Sequence, residues 1–210
     1  MTSLPPDAFR RADESADARF YAVPRFVQHI DAGAQAAVTD LYRRHVPAGG
    51  DVLDLMSSWT SHLPPDVAYG RVAGLGMNAE ELAANPRLTE WTVQSLNDRP
   101  TLPYADAAFD AALCCVSVQY LVRPAEVFAE VRRVLRPGAR FIVTFSNRCF
   151  PTKAVLAWRA LDDAGHLALV RQYAEAGEFD AVEVAVHRPP GGDPLFGVVA
   201  RCPGPPAEAG

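Results

Sequence analysis

Apolar and polar positions are patterned most clearly in residues 102–146. Ala111 to Val118 is apolar almost without alternation, as a strand covered on both faces by helices requires. Pro124 then stands where a first helical residue tolerates proline, and Val127, Phe128, Val131, Val134 and Leu135 follow at helical spacing. That spacing lays one apolar stripe against a sheet. Arg132, Arg133 and Arg136 fall in the last turn, at the negative end of the helix dipole. Pro137 and Gly138 stop the helix, and Arg140 to Phe145 begin the next strand.

The flanks continue the alternation. Asp31 is predicted to cap a helix carrying Val38, Leu41, Tyr42 and His45 on one face, ending before Pro47 and Gly49. Strands are predicted at 51–55, 71–75 and 90–96, with a short helix over 79–84 opened by Asn78 and Glu81 at capping-box spacing. Beyond Phe145 come helical stretches at 152–161 and 166–176, then strands at 181–187 and 195–201 joined by the turn-rich PPGGDP. The pattern predicts an α/β fold: a Rossmann-like, doubly wound, seven-stranded sheet, mostly parallel, ending in an antiparallel hairpin.

At 210 residues the chain suits one domain. We place it at 20–202, between a flexible N-terminus (1–19) and a disordered tail (203–210) that are polar or proline-rich and lack periodicity. A net charge of -5 with 49% apolar residues offers no polyanion-binding face, so no nucleic-acid partner is expected. The N-terminal stretch has no apolar core of signal-peptide length and no segment is long and apolar enough to cross a bilayer. A cytoplasmic protein without a membrane partner, monomeric or homodimeric, is expected. Cys114, Cys115, Cys149 and Cys202 form no Cys-x-x-Cys pair and suit reduced thiols. Adjacent strand residues point to opposite faces, so Cys114 and Cys115 do not converge on a metal, and no metal site is expected.

Three segments carry a family resemblance. VLDL at 52–55, LPYADAAFDAAL at 102–113 and RVLRPGAR at 133–140 resemble, in order and spacing, the first strand, the segment before strand four and the turn before strand five of class I S-adenosylmethionine-dependent methyltransferases of type 11. Ala139 replaces the second glycine of the last motif. The resemblance covers roughly residues 50–146 and implies S-adenosyl-L-methionine as cofactor and methyl transfer as activity. The acceptor-binding parts, 1–30 and 147–178, are short, which suits a small-molecule acceptor.

One loop departs from the family. A Gly-x-Gly-x-Gly loop normally follows strand one, because the cofactor comes close to the backbone there. Here the loop is MSSWTSH, with Met56, Ser58 and Thr60 at the glycine positions, and Gly76 stands where an acidic residue would hold the ribose. Two accounts are open. Either Ser57, Ser58 and Thr60 hold the cofactor's amino-acid end and Asn78 takes the ribose, or the loop has been filled and the chain is a non-catalytic binding module that has lost the cofactor. A nicotinamide oxidoreductase is the weakest alternative, since the Gly-x-Gly-x-x-Gly fingerprint is absent.

By position, the resemblance implies cofactor contacts from Asp54, Met56, Ser57, Ser58, Thr60, Asn78, Asn97, Asp98 and Ser117. Methyl displacement needs alignment and desolvation above all. A base is required only if the acceptor must first lose a proton, and His62 and Tyr120 are the catalytic candidates. Tyr21, Arg25 and Gln119 are expected to bind substrate. Phe20, Tyr21, Arg25 and His29 lie in a segment able to fold over the site as a lid. Trp59 is either a cover or a packing residue, and Arg148 and Lys153 are expected as solvated charges at the same edge.

Overall fold

The computed structural model describes residues 5 and 7–204, apart from the side chains of residues 181 and 182. Strands β1 (Val52–Ser57), β2 (Val72–Gly76), β3 (Glu90–Val93), β4 (Phe109–Cys115), β5 (Leu135–Phe145), β6 (Asp180–His187) and β7 (Leu195–Arg201) form one sheet in the order β3-β2-β1-β4-β5-β7-β6. All pairings are parallel except those of β7, which runs antiparallel to β5 and β6. The expected seven-stranded sheet with its terminal hairpin is what forms.

Period-two alternation sends neighbouring residues to opposite cores. Leu53, Leu55, Cys114, Phe141 and Val143 pack on one face with α4 (Pro124–Val134) and α6 (Asp163–Ala176). Val52, Leu113 and Ile142 pack on the other, with Val38, Leu41 and Tyr42 of α2 (Ala32–His45). Cys114 and Cys115 divide between the two cores as expected, and all four cysteines are free thiols. Asp31 caps α2, accepting from the N–H of Ala34 at 2.8 Å. No helix among the described residues is long and apolar enough to cross a membrane.

Several boundaries differ from the pattern, each for a tertiary reason. Helix α4 ends at Val134 and the chain is extended from Leu135, bulging through Pro137 and Gly138 before pairing resumes at Arg140. Strand β3 stops at Val93 because the Gln94 amide turns to the carbonyls of Arg99 and Thr101, at 2.8 and 2.9 Å. The expected helix at 152–161 shrinks to α5 (Leu156–Arg159), because the N-terminal arm pairs with its start. The N–H groups of Leu156 and Ala157 donate to the carbonyls of Arg10 and Ala8, both at 2.8 Å, so the arm satisfies donors that open a helix.

Part of the segment expected to be loose, residues 1–4 and 6, lies outside the described residues; residues 7–19 form a packed arm. Ala8 and Asp17 are buried, and α1 (Asp17–Phe20) follows at once. Lys153, expected as a solvated charge, has no exposed surface: its ammonium donates to the Ser15 carbonyl at 2.7 Å and pairs with Asp13 at 3.1 Å and Asp17 at 3.4 Å. An aliphatic stem with a buried cation needs such partners, and a polar arm supplies them without any hydrophobic periodicity. The expected disordered tail lies mostly outside the described residues, which end at Gly204.

Candidate active site

The strand order reverses between β1 and β4, and at their carboxyl ends opens a cavity of about 370 Å³. This is where open α/β sheets bind ligands. Asp54, Met56 and Ser57 of β1 with residues 58–60 and 62 beyond it, 75–78 at the end of β2, 94–97 after β3 and 115–117 at the end of β4 supply its floor and walls; residues 21, 25, 27–30 and 148–150 supply its roof.

The loop after β1 keeps a glycine-type backbone without the glycine. Met56 has a φ of 55°, a left-handed conformation that costs an ordinary L-residue roughly 1–2 kcal/mol. The kink at Met56 shifts the register, so that Ser57 pairs with Gly76 at the end of β2. A Cβ on Gly76 would come within 2.2 Å of the Ser57 carbonyl oxygen. The close backbone approach expected inside the loop has moved onto β2, and Gly76 is the residue that permits it. For the same reason no acidic side chain can stand at 76.

Asp54, within β1, is buried, and its Oδ2 accepts from the hydroxyls of Ser57 and Ser61, both at 2.6 Å. Burial outweighs these two hydrogen bonds and pushes its carboxyl up to about 6. Among the described residues Oδ1 receives no protein donor, and Asp54 lines the cavity.

The polar side chains after β2 and β3 hold the roof. Asn78 caps α3 (Ala79–Ala84) by accepting from the N–H groups of Glu80 and Glu81, at 3.0 and 3.1 Å. Its amide donates to the carbonyls of Tyr21 and Ala22, at 3.0 and 3.3 Å. Asn97 donates to Asp17 at 2.7 Å and to the Tyr120 carbonyl at 2.9 Å, and accepts from the N–H of Val122 at 2.8 Å. Trp59 donates from its indole to the Val27 carbonyl at 3.2 Å. Tyr21, Arg25 and His29 therefore border the cavity. The Arg25 guanidinium lies 4.6 Å from the Phe20 ring and 5.6 Å from the Phe150 ring, which are cation–π distances.

At the end of β4, Val116 adopts a φ of 44°, a conformation that is strained for a β-branched residue and is often found at functional sites. Gln119 is fully buried and does not line the cavity, contrary to its expected place in the pocket wall. Its amide donates to the Val116 carbonyl at 2.8 Å and so supports the turn. Tyr120 lines the cavity, and its hydroxyl accepts from the N–H of Phe150 at 2.8 Å. Burial pushes that hydroxyl up to about 12, which favours its protonated form near neutral pH, and its contact with Phe150 helps to position the roof. Ser117 lines the cavity with its hydroxyl 3.4 Å from the Cys114 thiol.

Of the residues singled out from sequence, Asp98 also lies outside the cavity wall, on an exposed turn where its N–H donates to the Ser95 hydroxyl at 3.3 Å. The other candidate cofactor, catalytic and substrate residues line the cavity, as do His29, Trp59 and Arg148, whereas Phe20 and Lys153 do not. The sequence reading missed Asp17, Met77, Gln94, Leu96 and Phe150, and saw Glu81 only as half of a capping box. That carboxylate turns away from the box into the cavity, where it accepts from the Ser58 hydroxyl at 2.6 Å and from the N–H of Arg25 at 2.7 Å.

Residues 58–143 match the family model for a methyltransferase domain. That segment is similar to a methyltransferase domain, and the strand order is that of the class I methyltransferase fold. Over 93 residues the chain is 33% identical to the malonyl-[acyl-carrier protein] O-methyltransferase of Hahella chejuensis, covering 44% of this chain and 32% of that protein. The chain spans 17% to 39% of the length of the curated relatives it matches. It shares its fold with the [4+2]-cyclase SpnF, at 18% identity and a TM-score of 0.62, over 90% of this chain and 92% of that one. A second fold neighbour is the Burkholderia thailandensis 1,6-didemethyltoxoflavin-N1-methyltransferase, solved with 1,6-didemethyltoxoflavin and S-adenosylhomocysteine. It is 16% identical with a TM-score of 0.62, over 82% of this chain and 80% of that one. A class I methyltransferase fold thus also occurs in a protein named as a cyclase, and the reaction has to be argued from the site. The family match begins at Ser58, beyond β1, Asp54 and Met56, where this chain's loop departs from the glycine pattern.

Proposed function

We propose that this chain is a class I methyltransferase that binds S-adenosylmethionine in the cavity at the carboxyl end of the sheet and methylates a small-molecule acceptor. The reading rests most on Asp54, a buried carboxyl at the switch point whose Oδ1 has no protein donor among the described residues. An acceptor oxygen left open in a desolvated place suits an ammonium group. The remaining residues fit the cofactor as well. A cavity of about 370 Å³ falls within the range of small-ligand sites, Met77 and Leu96 give it apolar walls, and Ser57, Ser58 and Thr60 bring hydroxyls to the amino-acid end. When bound, the cofactor supplies a methyl group on a positively charged sulfur. The chain's part is to orient the acceptor and exclude water, which the roof formed by Tyr21, Arg25 and Phe150 is placed to do. His62 lines the cavity, and burial together with neighbouring His29 lowers its pKa, so it is neutral near pH 7 and free to take a proton from an acceptor. The small acceptor is favoured by the size of the cavity and by the segment folded over it.

The rival reading, a module whose crevice has been filled, is disfavoured by the open cavity beside Met56, Ser58 and Thr60. Calorimetric titration with S-adenosylmethionine and S-adenosylhomocysteine tests the proposal. Binding is expected with both, weakened at least about tenfold by Asp54→Ala, since a charged hydrogen bond contributes roughly 1.5–3 kcal/mol. No heat with either ligand at millimolar concentration would sink the cofactor reading.

A further inference from the structure

Removing the acid from the end of β2 leaves a chemical demand unmet. A ribose presents two adjacent hydroxyls, and a carboxylate is the side chain that accepts both, as sheet-type nucleotide sites do near the second strand. Position 76 cannot carry one, because the Ser57 carbonyl lies 2.2 Å from where a Cβ would be. Among the described residues, the carboxylates lining the cavity are Asp17, Asp54 and Glu81. Asp17 is taken by Arg11 at 2.6 Å, Asn97 at 2.7 Å and Lys153 at 3.4 Å. Asp54 stands within β1 and faces Ser57 and Ser61.

Glu81 remains, and its surroundings suit the task. It occupies the third position of α3 after the Asn78 cap, from which a glutamate normally reaches back to the capping residue's N–H. Here it reaches the cavity instead. Each oxygen holds one donor, Oε2 the Ser58 hydroxyl at 2.6 Å and Oε1 the N–H of Arg25 at 2.7 Å, which leaves accepting capacity on both. Ser58 stands at one of the family's glycine positions, so the substitution that crowds the loop also orients this carboxylate.

The geometry points to Glu81 as the residue that binds the ribose diol of the cofactor, replacing an acid at the end of β2; this assignment rests on the cofactor reading above. Because the same carboxylate holds the backbone of Arg25, it also joins the ribose subsite to the lid.

The test is calorimetric titration of the full chain and of Glu81→Gln with S-adenosylhomocysteine and with its 2′-deoxy analogue. The wild type should bind the deoxy analogue about tenfold more weakly than the parent, as expected for losing a hydrogen bond to a charged group. Glu81→Gln should bind the parent about tenfold more weakly and discriminate the two ligands less than about threefold. A lid merely loosened by the substitution would weaken both ligands equally and leave discrimination intact, so full discrimination in Glu81→Gln would overturn the assignment. Equal affinity of the wild type for both ligands would also overturn it. Binding of neither ligand to the wild type would overturn the cofactor reading itself. Should Glu81→Gln fail to fold, Glu81→Asp, which withdraws the carboxylate by one methylene, is judged by the same criteria.

Discussion

Residues 109–145 build their half of the sheet with the side chains the family pattern calls for: a near-continuous apolar β4, the α4 stripe of Val127, Phe128 and Val131, and a buried β5. Residues 54–81 reach the same architecture by substitution. Met56 takes a left-handed turn that glycine would take freely, Gly76 makes the close approach, and Glu81 supplies a carboxylate from a helix instead of a strand end. The first half shows how strongly repeated apolar contacts constrain a sequence. The second shows that a binding loop is constrained by backbone shape, and that the residue permitting the shape can change place.

The harshest way to break this contrast is to put the family's acid back. Gly76→Asp should cost at least about 4 kcal/mol or abolish folding, since a Cβ would strike a backbone carbonyl and bring in a buried charge. Urea denaturation at neutral pH measures it. Unchanged stability would mean that Ser57 does not lie over β2 as described.

A second measurement asks whether the roof depends on the arm buried behind it. Lys153→Ala removes a fully buried cation from Asp13 and Asp17, and should lower stability by about 3–4 kcal/mol. Amide exchange in residues 8–21 should accelerate with it. An arm that kept its protection would disprove the anchoring role of Lys153.

Asp54 sharpens the contrast through pH. Burial raises its carboxyl from 3.8 to about 6, so the folded chain holds that proton more tightly than the unfolded chain does. The resulting stability is complete below about pH 4 and lost as pH rises through about 6, roughly 2–3 kcal/mol in all. Subtracting the Asp54→Asn profile from the wild type's should isolate this fall. A flat difference between pH 4 and 7 would contradict the buried, weakly compensated carboxyl.

The smallest effect is expected at Met56. Glycine there relieves a left-handed φ of 55° but adds freedom to the unfolded chain, so Met56→Gly should shift stability by no more than about 1 kcal/mol. Met56→Val, β-branched in the same conformation, should be clearly worse. Two equal values in thermal unfolding would remove the argument that backbone shape governs this loop.

Strand and helix positions were legible along the chain because amphipathic periodicity is local: each apolar stripe is written within a dozen residues or so and needs only some partner face. Asp54 was legible too as a cavity residue, since the first strand runs to the switch point, although β1 continues past it to Ser57. Gln119 and Asp98 were misplaced because a position after a strand says little about where a side chain turns, and Gln119 turned inward to hold the strained Val116 carbonyl. Lys153 looked like a surface charge because nothing near it in sequence announces Asp13 and Asp17 as partners. Glu81 was hidden in its capping spacing, which describes the helix start correctly and is silent on the carboxylate's direction.

Local periodicity thus decided the sheet, its order of elements and the edge at which a ligand would enter, because burying apolar surface needs no particular partner. Which polar groups serve that edge was settled only when the tertiary fold brought Ser57 over Gly76, Ser58 and Arg25 to Glu81, and the N-terminal arm onto Lys153. Hydrogen bonds and ion pairs are directional and short, and they depend on contacts that pattern along the chain does not record.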